Sequence, residues 1–191
     1  MAKATGPTYK VSFKRRRKNL TNYRKRLALL KSNLPRFVVR KSNKIILTHV
    51  VEFNEKFDKT LVMADSKELK KYNWPSRANL PTAYLTGYLC GKRAIKKNIK
   101  KMVMDIGLAS PTKCSFAFAA LKGALDAGAD IAHGEIEFDE ERISGKHIVE
   151  YAKSTAGTET YNKLFSGYIK TGVKPENLQT MFLDIKKKIA E

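Results

Sequence analysis

The chain has 191 residues, 42% of them hydrophobic, which suffices to bury the core of one domain of ordinary size with extensions. Its 38 Lys and Arg outnumber its 18 Asp and Glu, and a formal net charge of +20 makes a compact fold repel itself unless a polyanion lies against it. No apolar run approaches the ~20 residues of a spanning helix and no apolar stretch follows the basic N-terminus, so the expectation is a cytoplasmic chain with no signal peptide and no membrane partner.

The charge is unevenly placed. Residues 1–51 hold 15 Lys or Arg and no Asp or Glu, whereas the other 140 hold 23 and 18. Lys14, Arg15, Arg16, Arg17 and Lys18 are contiguous, and Arg24, Lys25 and Arg26 follow beside Tyr23. A solvated charge run normally contains balancing carboxylates, and their absence here points to a nucleic-acid backbone. Tyr9, Phe13 and Tyr23 are interleaved with these cations, suited either to stacking on unpaired bases or to anchoring the arm. From Thr21 to Ser32 the spacing of Tyr23, Leu27, Leu30 and Leu34 predicts a helix, N-capped by Thr21 and stopped by Pro35. Its apolar stripe is expected to dock on the domain and its guanidinium groups to point outward.

Arg36 to Arg40, Ile45 to Phe53 and Thr60 to Ala64 are rich in Val, Ile, Phe and Leu and are separated by polar turns, which predicts an antiparallel three-stranded meander. The first turn gathers Arg40, Lys41, Ser42, Asn43 and Lys44 at a hairpin tip fit for phosphate and ribose, a second RNA contact. Leu80, Tyr84, Gly87, Tyr88, Gly91 and Ile95 recur at helical spacing, with the two glycines expected to let this helix lie close on a sheet. Its end carries Lys92, Arg93, Lys96, Lys97, Lys100 and Lys101, about half of which the helix dipole explains. Met102 to Ile106 reads as a fourth strand. Ala117, Leu121, Ala124 and Leu125 mark the next helix, ended by Gly128 as a left-handed cap.

Beyond Asp130 the acids Glu135, Glu137, Asp139, Glu140 and Glu141 cluster in a segment that should avoid phosphate. Helices are predicted from about Asp139 to Lys153 and from Pro175 to Ile189, the second with Leu178, Met181, Phe182, Ile185 and Ile189 on one side. The fold class is therefore α/β: a mixed sheet built from the meander and then helix, strand, helix, with helices packed on it, a basic N-terminal arm and a helical C-terminal extension. The expected division is a basic RNA-binding arm and helix over 1–34, an α/β core over 35–130 and the helical extension over 131–191.

The rival is a metal-dependent nuclease of the ribonuclease-H-like type, which shares this coarse order of elements. Such an enzyme clusters carboxylates around divalent ions, one of them on the first strand. That strand reads Arg36-Phe37-Val38-Val39-Arg40, while Asp65 and Asp105 at strand ends read as local caps. No phosphate-binding glycine loop occurs, and His49, His133 and His147 are dispersed. Cys90 and Cys114 lack zinc-ligand spacing and read as buried reduced thiols. The chain is thus expected to be no enzyme, with no catalytic residue, metal site, cofactor or small-molecule substrate.

ATGPTYKVSFKRRRKNLTNYRKRL from Ala4, PRFVVRKSNKIILTHVVEF from Pro35, LPTAYLTGYLCGKRA from Leu80, and DIGLASPTK with the following ALKGALDAGADIAH together resemble one family along nearly the whole chain. This is the universal large-subunit ribosomal protein eighteen family, which binds 5S ribosomal RNA. The ATGP start and the tail from HIVEYAK to FSGYIK resemble its archaeal and eukaryotic branch, and the modest length its archaeal form. The resemblance implies a structural component of the ribosome that clasps 5S rRNA and adjacent 23S rRNA in the central protuberance, beside other large-subunit proteins. Carried over by position, it places RNA contacts at Lys10, Lys14, Arg15, Arg16, Arg17, Lys18, Tyr23, Arg24, Arg26, Arg36, Arg40, Lys41, Ser42, Asn43 and Lys44. Ser154 to Asn162 fits the pattern less well and is assigned no role.

Overall fold

A computed structural model describes residues 6–190, so Ala4 and Thr5 of the ATGP motif lie outside the described residues. The arm begins with a single turn, α1 (Lys14–Arg17), followed by α2 (Tyr23–Leu30). Asn22, and not Thr21, caps α2: its Oδ1 accepts from the Lys25 backbone N–H at 3.1 Å, while the Thr21 hydroxyl is taken by Arg15 Nε at 2.9 Å. The helix ends before Pro35 acts, because Asn33 turns into the left-handed region at φ 53°. The expected docking face is also wrong. Leu27 is 59% exposed and no residue of α2 is buried, whereas Arg26 points inward to a carboxylate described below.

The meander forms as predicted from β1 (Arg36–Lys41), β2 (Ile46–Phe53) and β3 (Asp58–Asp65), antiparallel throughout with a bulge at Val50/Val51. Asp65 then caps a 3-10 turn over Ser66–Tyr72, its side chain accepting from the Lys67 backbone while Glu68 reaches back to the Asp65 N–H. Next come α3 (Leu80–Lys96), β4 (Lys101–Asp105) and α4 (Phe116–Asp126). The two-residue β5 (Asp130–Ile131), too short for a periodic signal, adds an unforeseen parallel edge, so the sheet order is β3-β2-β1-β4-β5.

Alternation along the strands gives the sheet two faces. Phe37, Val39, Ile46, Val50, Val62 and Ala64 point into the core under α3 and α4. Gly87 and Gly91 do not serve the sheet, as the spacing suggested. They serve the crossing of the two helices: a Cβ on Gly87 would collide with the Ala120 backbone, and one on Gly123 with the Tyr84 carbonyl. This close contact lets Leu85, Leu89, Ala120 and Leu121 bury completely or nearly so. Gly128 (φ 101°) ends α4 as predicted.

The helix expected over 139–153 is instead two, α5 (Glu140–Ser144) and α6 (Lys146–Ser154), broken at Gly145 with φ 88°. Then come α7 (Glu159–Leu164), α8 (Ser166–Ile169), a 3-10 turn at Pro175–Asn177 and α9 (Leu178–Ala190). The predicted stripe of α9 is its buried side, where Phe182 packs on Tyr84 and Trp74 with ring centroids 5.2 and 6.4 Å apart. The C-terminal helices thus form a further layer outside α3 and share its core.

Candidate nucleic-acid interface

The second face of the sheet carries no helical layer of the kind formed by α3 and α4. Arg36, Val38, Arg40, His49, Val51 and Thr60 floor a cleft of about 650 Å³, walled by Arg15, Leu20, Asn22, Lys25, Arg26 and Leu29 of the arm and α2. A ladder of alternating charge runs across it. Asp58 accepts from Arg26 Nη2 at 2.8 Å and from Arg36 Nη2 at 2.7 Å. Asp105 accepts from Arg36 Nη1 and Arg40 Nη2, both at 2.9 Å, and from the Gly107 backbone N–H at 2.8 Å. Arg40 also donates to the Asp105 carbonyl at 2.7 Å, lying where a side chain on Gly107 would stand.

Burial by itself raises the carboxyl pKa of Asp58 and Asp105, but the arginine hydrogen bonds outweigh it and hold both below the usual carboxylate range. Burial, then the positive field of Arg40, lowers the His49 imidazole, so the floor of the cleft holds a neutral ring donor or acceptor.

The predicted contact residues fall into two groups. Lys10, Lys14, Arg15, Arg16, Arg17, Lys18, Arg24, Lys41 and Lys44 are exposed and make no ion pair among the described residues. Tyr23 stacks obliquely on Phe13, centroids 5.1 Å apart, which ties the start of the arm to α2. At the hairpin tip Ser42 closes the turn on Ile45 in both directions, Asn43 is exposed, and Lys41 lies 5.6 Å over the Phe116 ring. Arg26, Arg36 and Arg40 belong to the ladder, and Arg36 is only 3% exposed. Its burial is legible after the fact in the hydrophobic neighbours Phe37 to Val39, but its two partners stand 22 and 69 residues away. His49 and Asp58 join the site without a signal in the sequence: the first lies in an apolar run, and the second, which opens β3, follows a polar stretch that reads as a turn. Asp105 does cap its strand end, as predicted, and pairs two arginines besides. At the end of α3, Arg93 pairs with Glu68 and Lys97 donates to the Leu61 carbonyl at 2.7 Å, so part of that basic cluster is structural.

An α/β sheet with a cationic arm across one open face has the build of an RNA-contacting assembly component. Among the described residues no helix is long and apolar enough to cross a membrane. The particular family follows from comparison. Residues 7–103 match the family described as ribosomal large subunit proteins 60S L5 and 50S L18. The chain is 45% identical over 190 residues to the large ribosomal subunit protein uL18 of Methanothermobacter thermautotrophicus, covering 98% of each chain. It is 46% identical over 192 residues to the protein of that name from Ignicoccus hospitalis, covering 98% of this chain and 94% of the relative. The chain belongs to this family, in its archaeal form, and the family is one of structural ribosomal proteins, not of enzymes.

Proposed function

We propose that the chain binds 5S rRNA and adjacent 23S rRNA in the large ribosomal subunit and helps attach the 5S molecule to form the central protuberance, next to other large-subunit proteins. The observation that carries this reading is the row from Lys14 to Lys18, five exposed cations with no carboxylate partner among the described residues, held beside an open sheet face. Lys10, Arg24, Lys41 and Lys44 extend the row, while Ser42, Asn43 and Tyr23 offer hydroxyl, amide and ring contacts for ribose and unpaired bases. Arg26, Arg36 and Arg40 serve it chiefly by fixing the floor, with the exposed part of Arg40 available to phosphate. In this reading residues 1–34 make the grip, 35–130 carry it and 131–191 extend the core. The place of work is then the cytoplasmic ribosome.

Phosphate contacts supply most of the affinity here, and selectivity comes from RNA shape and ribose hydroxyls, because the A-form major groove excludes side chains. Replacing Lys14, Arg15, Arg16, Arg17 and Lys18 together by Gln should weaken binding to purified 5S rRNA by about a thousandfold and flatten its log-log salt dependence by about four units. A mobility-shift titration across salt concentrations reads both. Affinity and slope equal to those of the unaltered chain would sink the reading.

A further inference from the structure

Among the described residues, the stretch 6–34 makes one hydrogen bond or ion pair with the rest of the chain, from Arg26 on α2 to Asp58 on β3. The other bonds of the arm are internal: Arg15 Nε donates to Thr21 Oγ1, Asn22 caps α2, and Phe13 packs on Tyr23. No residue of α1 or α2 is buried. Leu20 and Leu27, which could seat the arm by apolar contact, are 55% and 59% exposed. The arm is thus ordered within itself and fastened to the domain at a single carboxylate.

The far end of that tie is rigid. One oxygen of Asp58 takes Arg26 Nη2 at 2.8 Å and the other takes Arg36 Nη2 at 2.7 Å, while buried Arg36 is held in turn by Asp105 at 2.9 Å. By charge alone a carboxylate among these cations should repel a phosphate backbone. We propose that Asp58 is nevertheless a positioning residue for the RNA grip: it pins α2 over the open sheet face and so holds the row from Lys14 to Lys18 in place before RNA arrives. The inference rests on the RNA-binding reading above and deepens it. A pinned arm binds without the entropy of being ordered, whereas an arm that swings is competent only part of the time and loses apparent affinity by that fraction. One partly exposed ion pair sets the scale, about fivefold at most.

The experiment titrates 5S rRNA with the full chain, with Asp58→Asn, with Arg26→Gln, with the two combined, and with the arm variant carrying Gln at 14–18. Asp58→Asn should weaken binding about three- to fivefold although it removes a negative charge from the RNA side. The combined variant should bind no more weakly than Arg26→Gln alone, because both substitutions break the same tie. Tighter binding by Asp58→Asn overturns the proposal, since the carboxylate would then only repel RNA or occupy an arginine that RNA uses. Unchanged binding overturns it too, as do losses that multiply in the combined variant. Hydrogen exchange on the free proteins separates this from unfolding: α2, too short to persist alone, should exchange faster in both single variants while β1 and β2 keep their protection. A folded variant with unchanged α2 exchange also overturns the pin. If the arm variant binds as the unaltered chain does, the earlier reading fails and this one with it; if the arm variant is weakened and Asp58→Asn is not, this one fails alone.

Discussion

Arg16 and Arg36 lie in the same stretch of 51 residues without a single carboxylate, yet they end in opposite environments. Arg16 stands in solvent on α1 with no partner among the described residues. Arg36 is buried on β1 and shared between Asp58 and Asp105. Local charge density therefore says where cations are made, and distant acids decide which of them remain free. A free cation is worth most in binding; a buried paired one is worth most when its partner is removed, because an unpaired charge in the interior is costly.

The largest break of this contrast is Asp105→Ala. It removes one carboxylate from Arg36, which already has a buried Nε without a partner, and the whole carboxylate from Arg40. Unfolding in urea should show a loss of about 3 to 5 kcal/mol. A loss below about 1 kcal/mol would mean that water or Asp58 replaces the pairing.

Acid should act on the same ladder more gradually. Asp58 and Asp105 have folded pKa values below their unfolded ones, so the stability they contribute is complete above the ordinary carboxylate range, about pH 4, and is lost as pH falls through the folded values. Denaturant midpoints measured on descending pH should fall there. In the double variant D58N/D105N that part of the fall should disappear, whereas in the arm variant it should remain. A smaller effect follows from Asp58→Asn alone, which leaves Arg36 its bond to Asp105 but frees Arg26 and with it α2. A stability loss of about 1 kcal/mol should accompany faster tryptic cleavage after Arg24 and Arg26.

The same contrast marks what the sequence discloses. The three meander strands, the two central helices and the stripe of α9 follow from periods of two and 3.6, which short-range patterns carry well. The docking of α2 does not. Its stripe of Tyr23, Leu27 and Leu30 promised an apolar seat, but the neighbouring sheet face offers the carboxylate of Asp58, and Arg26 takes the inner position. The break at Gly145 rests on a left-handed φ of 88°, which a glycine in a sequence permits but does not announce, and Gly87 and Gly91 signal a close approach without revealing what approaches. Of the contact residues, the exposed cations were legible from charge alone. The role of Arg36 depended on acids that pairing across the sheet brings in from the end of β4 and the start of β3.

The smallest effect on the fold belongs to Arg16→Gln, and it is the sharpest on the comparison. The exposed Arg16 side chain makes no hydrogen bond or ion pair among the described residues, so the stability measured in urea should stay within about 0.5 kcal/mol of that of the unaltered protein. A slight gain at low salt would be consistent, since one repulsive charge among five neighbours is gone. The same substitution removes one phosphate contact from the proposed RNA grip, and the log-log salt slope for 5S rRNA should fall by about 0.7 to 0.9. A change in stability without a change in slope would place Arg16 with Arg36 among the structural cations, and the division between free and paired arginines would then fail at its clearest member.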